Sequence, residues 1–171
     1  MTTIRIIKMI INNKIMKKKV FIYVGHSNWG KSMTLKILTG GSSRKKIAEI
    51  SGHIIRVRKM SNDDYGIGLL EWVKDIPRIK YEKFIIAFCP KFPNIDNPTE
   101  EQNIAQEILI ELQKTNELYF FVQKEKYGSN EQILQEEIKW ISNFGVVKII
   151  NGQNSNLIRA EKFIDFIKAN I

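Results

Sequence analysis

Gly25-His26-Ser27-Asn28-Trp29-Gly30-Lys31-Ser32 has the spacing GxxxxGK[ST], and its reading decides the fold. The two glycines let the backbone turn inward so that successive N–H groups converge on one anion. Lys31 then reaches the β- and γ-phosphates of a nucleotide, and the Ser32 hydroxyl ligates Mg²⁺. The surroundings agree: Lys19-Val20-Phe21-Ile22-Tyr23-Val24 reads as a buried strand, and Lys31 to Leu38 as a helix whose positive end faces the phosphates. Gly40-Gly41 stops that helix. The expected binding residues are therefore Gly25, His26, Ser27, Asn28, Trp29, Gly30, Lys31, Ser32 and Met33, with ATP or GTP and Mg²⁺ as the cofactors they imply.

The chain has 171 residues, 43% of them hydrophobic, which suffices for one α/β domain with a full core. Met16-Lys17-Lys18-Lys19-Val20 reads like an ordinary start, so residues 1–15 are expected to be a non-native or flexible extension and 16–171 the nucleotide-binding domain. No apolar run approaches the roughly 20 residues that span a bilayer, and the lone Cys89 fits a reducing compartment, so a cytoplasmic protein without membrane contact is expected. Net charge is +9, but residues 1–60 hold fourteen Lys/Arg and one carboxylate, Glu49. That local excess raises the potential around the loop through Lys36, Arg44, Lys45 and Lys46. A nucleic-acid surface is not favoured, because the aromatics fall inside apolar runs rather than among the cations.

Beyond the first helix, Thr39 to Gly52 reads as a mobile polar loop. His53 to Met60 and Gly66 to Val73 read as strands of an antiparallel hairpin, joined by the turn Ser61-Asn62-Asp63-Asp64-Tyr65. Phe84 to Cys89 is a buried strand ended by Pro90. A helix follows with Asn97 as its cap, Pro98 at its first position, and the stripe Ile104, Ala105, Ile108, Leu109, Leu112. Then come a strand Leu118 to Val122, a helix from about Asn130 to Ser142 with Ile133, Leu134, Ile138 and Ile141 inward, a strand Val146 to Ile150, and a helix from Asn156 to Ala169. This alternation predicts a three-layer α/β fold, with a mainly parallel sheet of five to six strands, one antiparallel hairpin, and helices on both faces.

The order of phosphate loop, helix, flexible loop, hairpin and strand–helix units resembles the Ras-like GTPases within the P-loop NTPases. Gly30-Lys31-Ser32-Met33-Thr34-Leu35-Lys36-Ile37-Leu38-Thr39-Gly40 resembles their loop and first helix. The resemblance implies NTP binding with Mg²⁺ and slow hydrolysis as a switch served by a protein partner or activator; a small-molecule or nucleoside kinase and an inactive pseudo-GTPase module are the alternatives. Downstream, the chain departs from the pattern. The DxxG motif should follow the second hairpin strand, but Trp72-Val73-Lys74-Asp75 lacks the glycine, and Asp63-Asp64-Tyr65-Gly66 falls in the expected turn. Where NKxD should specify guanine, the chain has Gln123-Lys124-Glu125-Lys126, and Asn151-Gly152-Gln153 replaces the small-Ala-Lys loop. Glu71, at the end of the apolar run Ile67 to Leu70, is the first choice for the carboxylate that orients the metal, beside Asp63, Asp64 and Asp75.

Overall fold

The computed structural model describes residues 16–92 and 96–171; the extension expected over residues 1–15 lies outside the described residues. Six strands form one sheet: β1 (Lys18–Val24), β2 (Ile47–Ile50), β3 (His53–Arg58), β4 (Lys83–Phe88), β5 (Asn116–Gln123) and β6 (Val146–Ile150). Their order is β2-β3-β4-β1-β5-β6, and only the β2/β3 pair is antiparallel. β1 is central and apolar on both faces, with Ile22 in register between Ile86 and Phe120. Such continuous apolar runs are what a strand covered on both sides requires.

Helices α1 (Lys31–Leu38), α2 (Asn62–Asp75), α3 (Glu100–Thr115), α4 (Gln135–Ser142) and α5 (Asn156–Lys168) supply the covering layers. Alternate β1 residues enter two cores. Val20, Ile22 and Val24 pack with Leu69 and Val73 of α2, Ile108 and Leu112 of α3, and Ile141 of α4. Phe21 and Tyr23 pack with Leu35 of α1 and Phe163 and Phe166 of α5. Each large apolar side chain so buried contributes about 1.5–3 kcal/mol. No helix among the described residues is long and apolar enough to cross a membrane.

The hairpin is not where the sequence placed it. Its strands are β2 and β3, turned by Ser51 and Gly52, both at positive φ (51° and 76°) as a two-residue type I′ turn requires. The stretch Thr39 to Gly52, read as one mobile loop, therefore ends in a strand. The segment read as the second hairpin strand, Gly66 to Val73, lies in α2 instead. Ser61-Asn62-Asp63-Asp64 starts that helix: the Asp64 carboxylate accepts a hydrogen bond from the Ser61 amide at 3.0 Å, closing the first turn. Leu69, Leu70, Val73 and Ile76 then repeat at helical spacing toward the core. The chain leaves helical geometry at Tyr65 (φ −158°, ψ 85°), so the first turn of α2 is set apart from the rest.

Two further boundaries differ. Thr99, not Asn97, caps α3, exchanging bonds with Gln102 in both directions (3.2 and 2.9 Å). Residues 130–134 are not helical. Lys126 N donates to Glu131 O (3.0 Å) and Ile133 N to Lys124 O (2.8 Å), which folds 124–133 back on itself; Ile133 is buried, whereas Leu134 is exposed.

Candidate functional site

The loop between β1 and α1 crosses the carboxyl end of the central strand, the position where open α/β sheets place their crevice. Gly25 N donates to Phe88 O at 3.1 Å, fixing the loop's first residue to the end of β4. The backbone then turns through positive φ at Asn28 (61°) and Gly30 (83°). A Cβ on Gly30 would stand 2.7 Å from Asn156 Oδ1 and 2.8 Å from Arg159 Nη2, so conformation and space both demand glycine there. Turns of this kind can gather main-chain N–H groups toward a helix N-terminus, and here the loop runs directly into α1.

Lys31 is 5% exposed and reaches back under the loop. Its Nζ donates to His26 O at 2.7 Å and pairs with Asp63 Oδ2 at 3.3 Å. A buried ammonium costs several kcal/mol unless it is paired and hydrogen-bonded, and these two contacts meet that demand. Ser32 Oγ donates to Lys59 O at 3.1 Å, joining α1 to the end of β3. A cavity of ≈ 310 Å³ opens here, lined by loop residues Ser27 to Met33 and, across from them, Ser61, Asp63 and Asp64.

Asp63 reaches this cavity because the start of α2 is clamped to the end of β4. The buried Asn62 amide donates from Nδ2 to Cys89 O (2.9 Å) and accepts at Oδ1 from Cys89 N (2.7 Å). Asp63-Asp64-Tyr65-Gly66 thus follows the second hairpin strand, because the hairpin lies one step earlier in the chain than its sequence suggested. Glu71 stands elsewhere, exposed midway along α2 and absent from the cavity lining. The carboxylate beside Lys31 is Asp63, and the Ser-x-x-Asp cap was the signal that could have revealed it. Ser32 and Asp63 both line the cavity and carry oxygens of the kind Mg²⁺ takes; among the described residues no group of three or more His, Cys, Asp or Glu is placed to hold a metal alone.

Of the other predicted loop residues, Ser27, Asn28, Trp29 and Met33 border the cavity, while His26 does not. His26 contacts Cys89 Sγ at 3.9 Å and Glu137 Oε2 at 3.1 Å, and these partners, the thiol first, lift its pKa from 6.5 to about 9 against the opposing effect of burial. Trp29 is 3% exposed, edge-on to His26 with ring centroids 5.1 Å apart, and its Nε1 donates to Glu131 at 3.4 Å. These side chains hold the loop from behind.

A second cavity, also ≈ 310 Å³, lies on the other side of Gly30, sharing Asn28 and Trp29 and lined further by Lys126, Tyr127, Asn156 and Arg159. Arg159 is 3% exposed; it bonds Asn156 Oδ1 and Gly152 O, and its Nε is buried with no partner among the described residues. Gln123, at the position compared with the guanine motif, is fully buried and turned inward, accepting from Tyr23 Oη (3.0 Å) and donating to Glu125 O (3.0 Å). Burial pushes the Tyr23 hydroxyl up to about 12. No family model matches the chain, and no curated protein is significantly similar to it.

Proposed function

We propose that this chain is a P-loop NTPase that binds ATP or GTP with Mg²⁺ on the loop Gly25–Ser32 and hydrolyses it slowly, as a switch. The observation that carries the reading is Lys31: a buried ammonium held by one carbonyl and one carboxylate, beside a cavity walled by its own loop on one side and by the start of α2 on the other. A triphosphate would draw Lys31 onto its β- and γ-oxygens, leaving Asp63 beside Ser32 to orient Mg²⁺. Ribose and base would cross Gly30 into the second cavity, where Lys126, Asn156 and Arg159 offer hydrogen-bond donors and Tyr127 an exposed ring. In this reading Asp63 rather than Glu71 takes the metal-orienting role: it follows the second hairpin strand, which β4 separates from β1 in the sheet, and it lines the loop cavity.

In hydrolysis, water attacks the γ-phosphorus in line, the bond to the β–γ bridging oxygen breaks, and the water's protons pass to the phosphate products. Mg²⁺, which Ser32 and Asp63 would hold, would supply charge neutralisation at the phosphates. Lys31 and the loop amides neutralise what develops on the transferring group, and Asp64 is the lining carboxylate left to orient water. Lys31 is the sole cation among the described residues that line the first cavity. A second cation supplied by a partner protein typically adds about 10³–10⁵ in rate to such sites, which fits slow intrinsic turnover and a switch role.

Lys31→Ala tests the reading. Calorimetric titration with Mg·ATP and Mg·GTP should give binding to the unaltered chain and a loss of about 100-fold or more in the variant, the consequence of removing a desolvated charge contact. Equal affinity in the two proteins overturns it. Phosphate release then separates hydrolase from silent binder, and transfer of label to a metabolite would mark a kinase.

A further inference from the structure

Alternate residues of β3 point to opposite faces of the sheet, so Val57 enters the core while Arg56 and Arg58 emerge together on the face beside α2. There they meet Lys45 and Lys46 from the strand-entry segment, Lys59 from the end of β3, and Trp72 from α2, around a cavity of ≈ 330 Å³. No carboxylate lines it, and none of these five cations makes a salt bridge among the described residues. The hairpin's one carboxylate, Glu49, is exposed, does not line the cavity and makes no salt bridge among the described residues.

Such a cluster is costly. Desolvation and then the neighbouring Arg56 charge hold Arg58 below its usual pKa; desolvation and then Lys36 do the same to Lys59. The cluster is nonetheless held in place. The Arg58 guanidinium lies over the Trp72 ring, 5.7 Å from its centroid, with Nε buried and unpartnered. The Lys59 ammonium is tied to the Ser42 (2.7 Å), Ser43 (3.4 Å) and Lys45 (2.5 Å) carbonyls, strapping the 39–46 loop across one side. Surfaces ordinarily intersperse charges of both signs, and repulsion of this kind is offset when an anion sits among the cations.

We propose that this basic cavity is a second anion site, which takes the phosphate group of a small phosphorylated molecule distinct from the nucleotide on loop 25–32. Two arginines and three lysines around one concavity match the charge and the several acceptor oxygens of a phosphate better than they match a single carboxylate. A nucleic-acid strand fits less well: it needs a continuous basic track with free aromatic faces, whereas this cavity is bounded on one side by the Lys59 strap and the Trp72 face is occupied by Arg58. The site adjoins the first cavity: Lys59 lines this one and accepts from Ser32 through its carbonyl, and Ser61 two residues on lines the other. The inference does not depend on the nucleotide reading.

Titration of inorganic pyrophosphate and of glycerol 3-phosphate into the full chain carrying Lys31→Ala tests it, since any binding left there is independent of the loop lysine. The expected result is retained binding of at least one of the two, sharply weakened by salt, and weakened about tenfold or more by adding Arg58→Gln, the loss of one charge-assisted contact. Which probe binds distinguishes a free polyanion from a phosphomonoester. Trp29→Phe leaves Trp72 and Trp140, of which only Trp72 lines the basic cavity, and the emission should change on binding. Where Arg58→Gln fails to fold, Arg56→Gln with Lys45→Gln carries the same reading. Binding untouched by these substitutions, no binding of either probe, or binding of an oligonucleotide alone overturns the proposal, and the Lys31 dependence of Mg·NTP binding is scored separately.

Discussion

The two cavities that flank Gly30 are of equal size, ≈ 310 Å³, yet they are built from opposite materials. The first holds an ammonium and two carboxylates, most of it contributed by seven consecutive residues and the start of α2. The second is donor-rich without a carboxylate, and its residues come from the loop, the segment after β5 and the start of α5. A cavity with both signs of charge and clustered oxygens suits a metal–polyanion complex; one with donors and an exposed ring suits a flat group with acceptors along its edge. Gly30 is the wall common to both.

The comparison breaks most completely at that wall. Gly30→Ala forces a non-glycine residue into φ 83° and drives its Cβ against Asn156 and Arg159. The strain costs about 1–3 kcal/mol, and Mg·NTP affinity should fall at least as far as in Lys31→Ala, measured by calorimetry alongside urea unfolding. Unchanged affinity would mean that the two cavities do not serve one ligand.

Asp63→Asn sharpens the contrast on one side only. It keeps the shape but removes the charge that pairs with Lys31, so Mg²⁺-dependent affinity should drop about tenfold while any Mg²⁺-independent binding is kept or strengthened. Equal loss with and without Mg²⁺ would remove Asp63 from the metal-orienting role.

A smaller effect belongs to neither cavity. His26, raised to about 9 by Cys89 and Glu137, is charged in the folded protein where the unfolded chain's His, near 6.5, has lost its proton. Its contribution is therefore complete below pH 6.5 and is lost as pH rises through 9. With its side chain 30% exposed, solvent screening reduces this to on the order of 1–2 kcal/mol. Urea midpoints followed from pH 6 to 9.5 should fall, and His26→Gln should flatten the slope; an unaltered slope would assign the pH dependence elsewhere. The smallest effect is that of Glu71→Ala. Exposed and away from both cavities, it should shift stability by less than about 0.5 kcal/mol and leave binding unaltered.

The central strand, the presence of one hairpin, the strand–helix alternation from Phe84 onward and the loop itself were legible in sequence, because each rests on local pattern: apolar runs of strand length, helical spacing, and glycine with lysine and serine at fixed offsets. The hairpin's place was not. Ser51-Gly52 turned the chain through two positive-φ residues inside a stretch read as loop, and Gly66 to Val73 reads as a strand by hydrophobicity while Leu69, Leu70, Val73 and Ile76 pack as a helix. Displacing the hairpin moved Asp63 from a turn to the start of α2, and with it the choice between Asp63 and Glu71.

Sequence alone determined an α/β chain whose glycine-rich loop joins its central strand to a helix, since backbone turns and burial periodicity are properties of neighbouring residues. Tertiary structure decided which carboxylate meets Lys31, which way His26 and Gln123 face, and which cations share a cavity. Asp63 stands thirty-two positions from Lys31, and Asn62 sets it there through two hydrogen bonds to Cys89, an arrangement that exists only once β4 lies between β3 and β1.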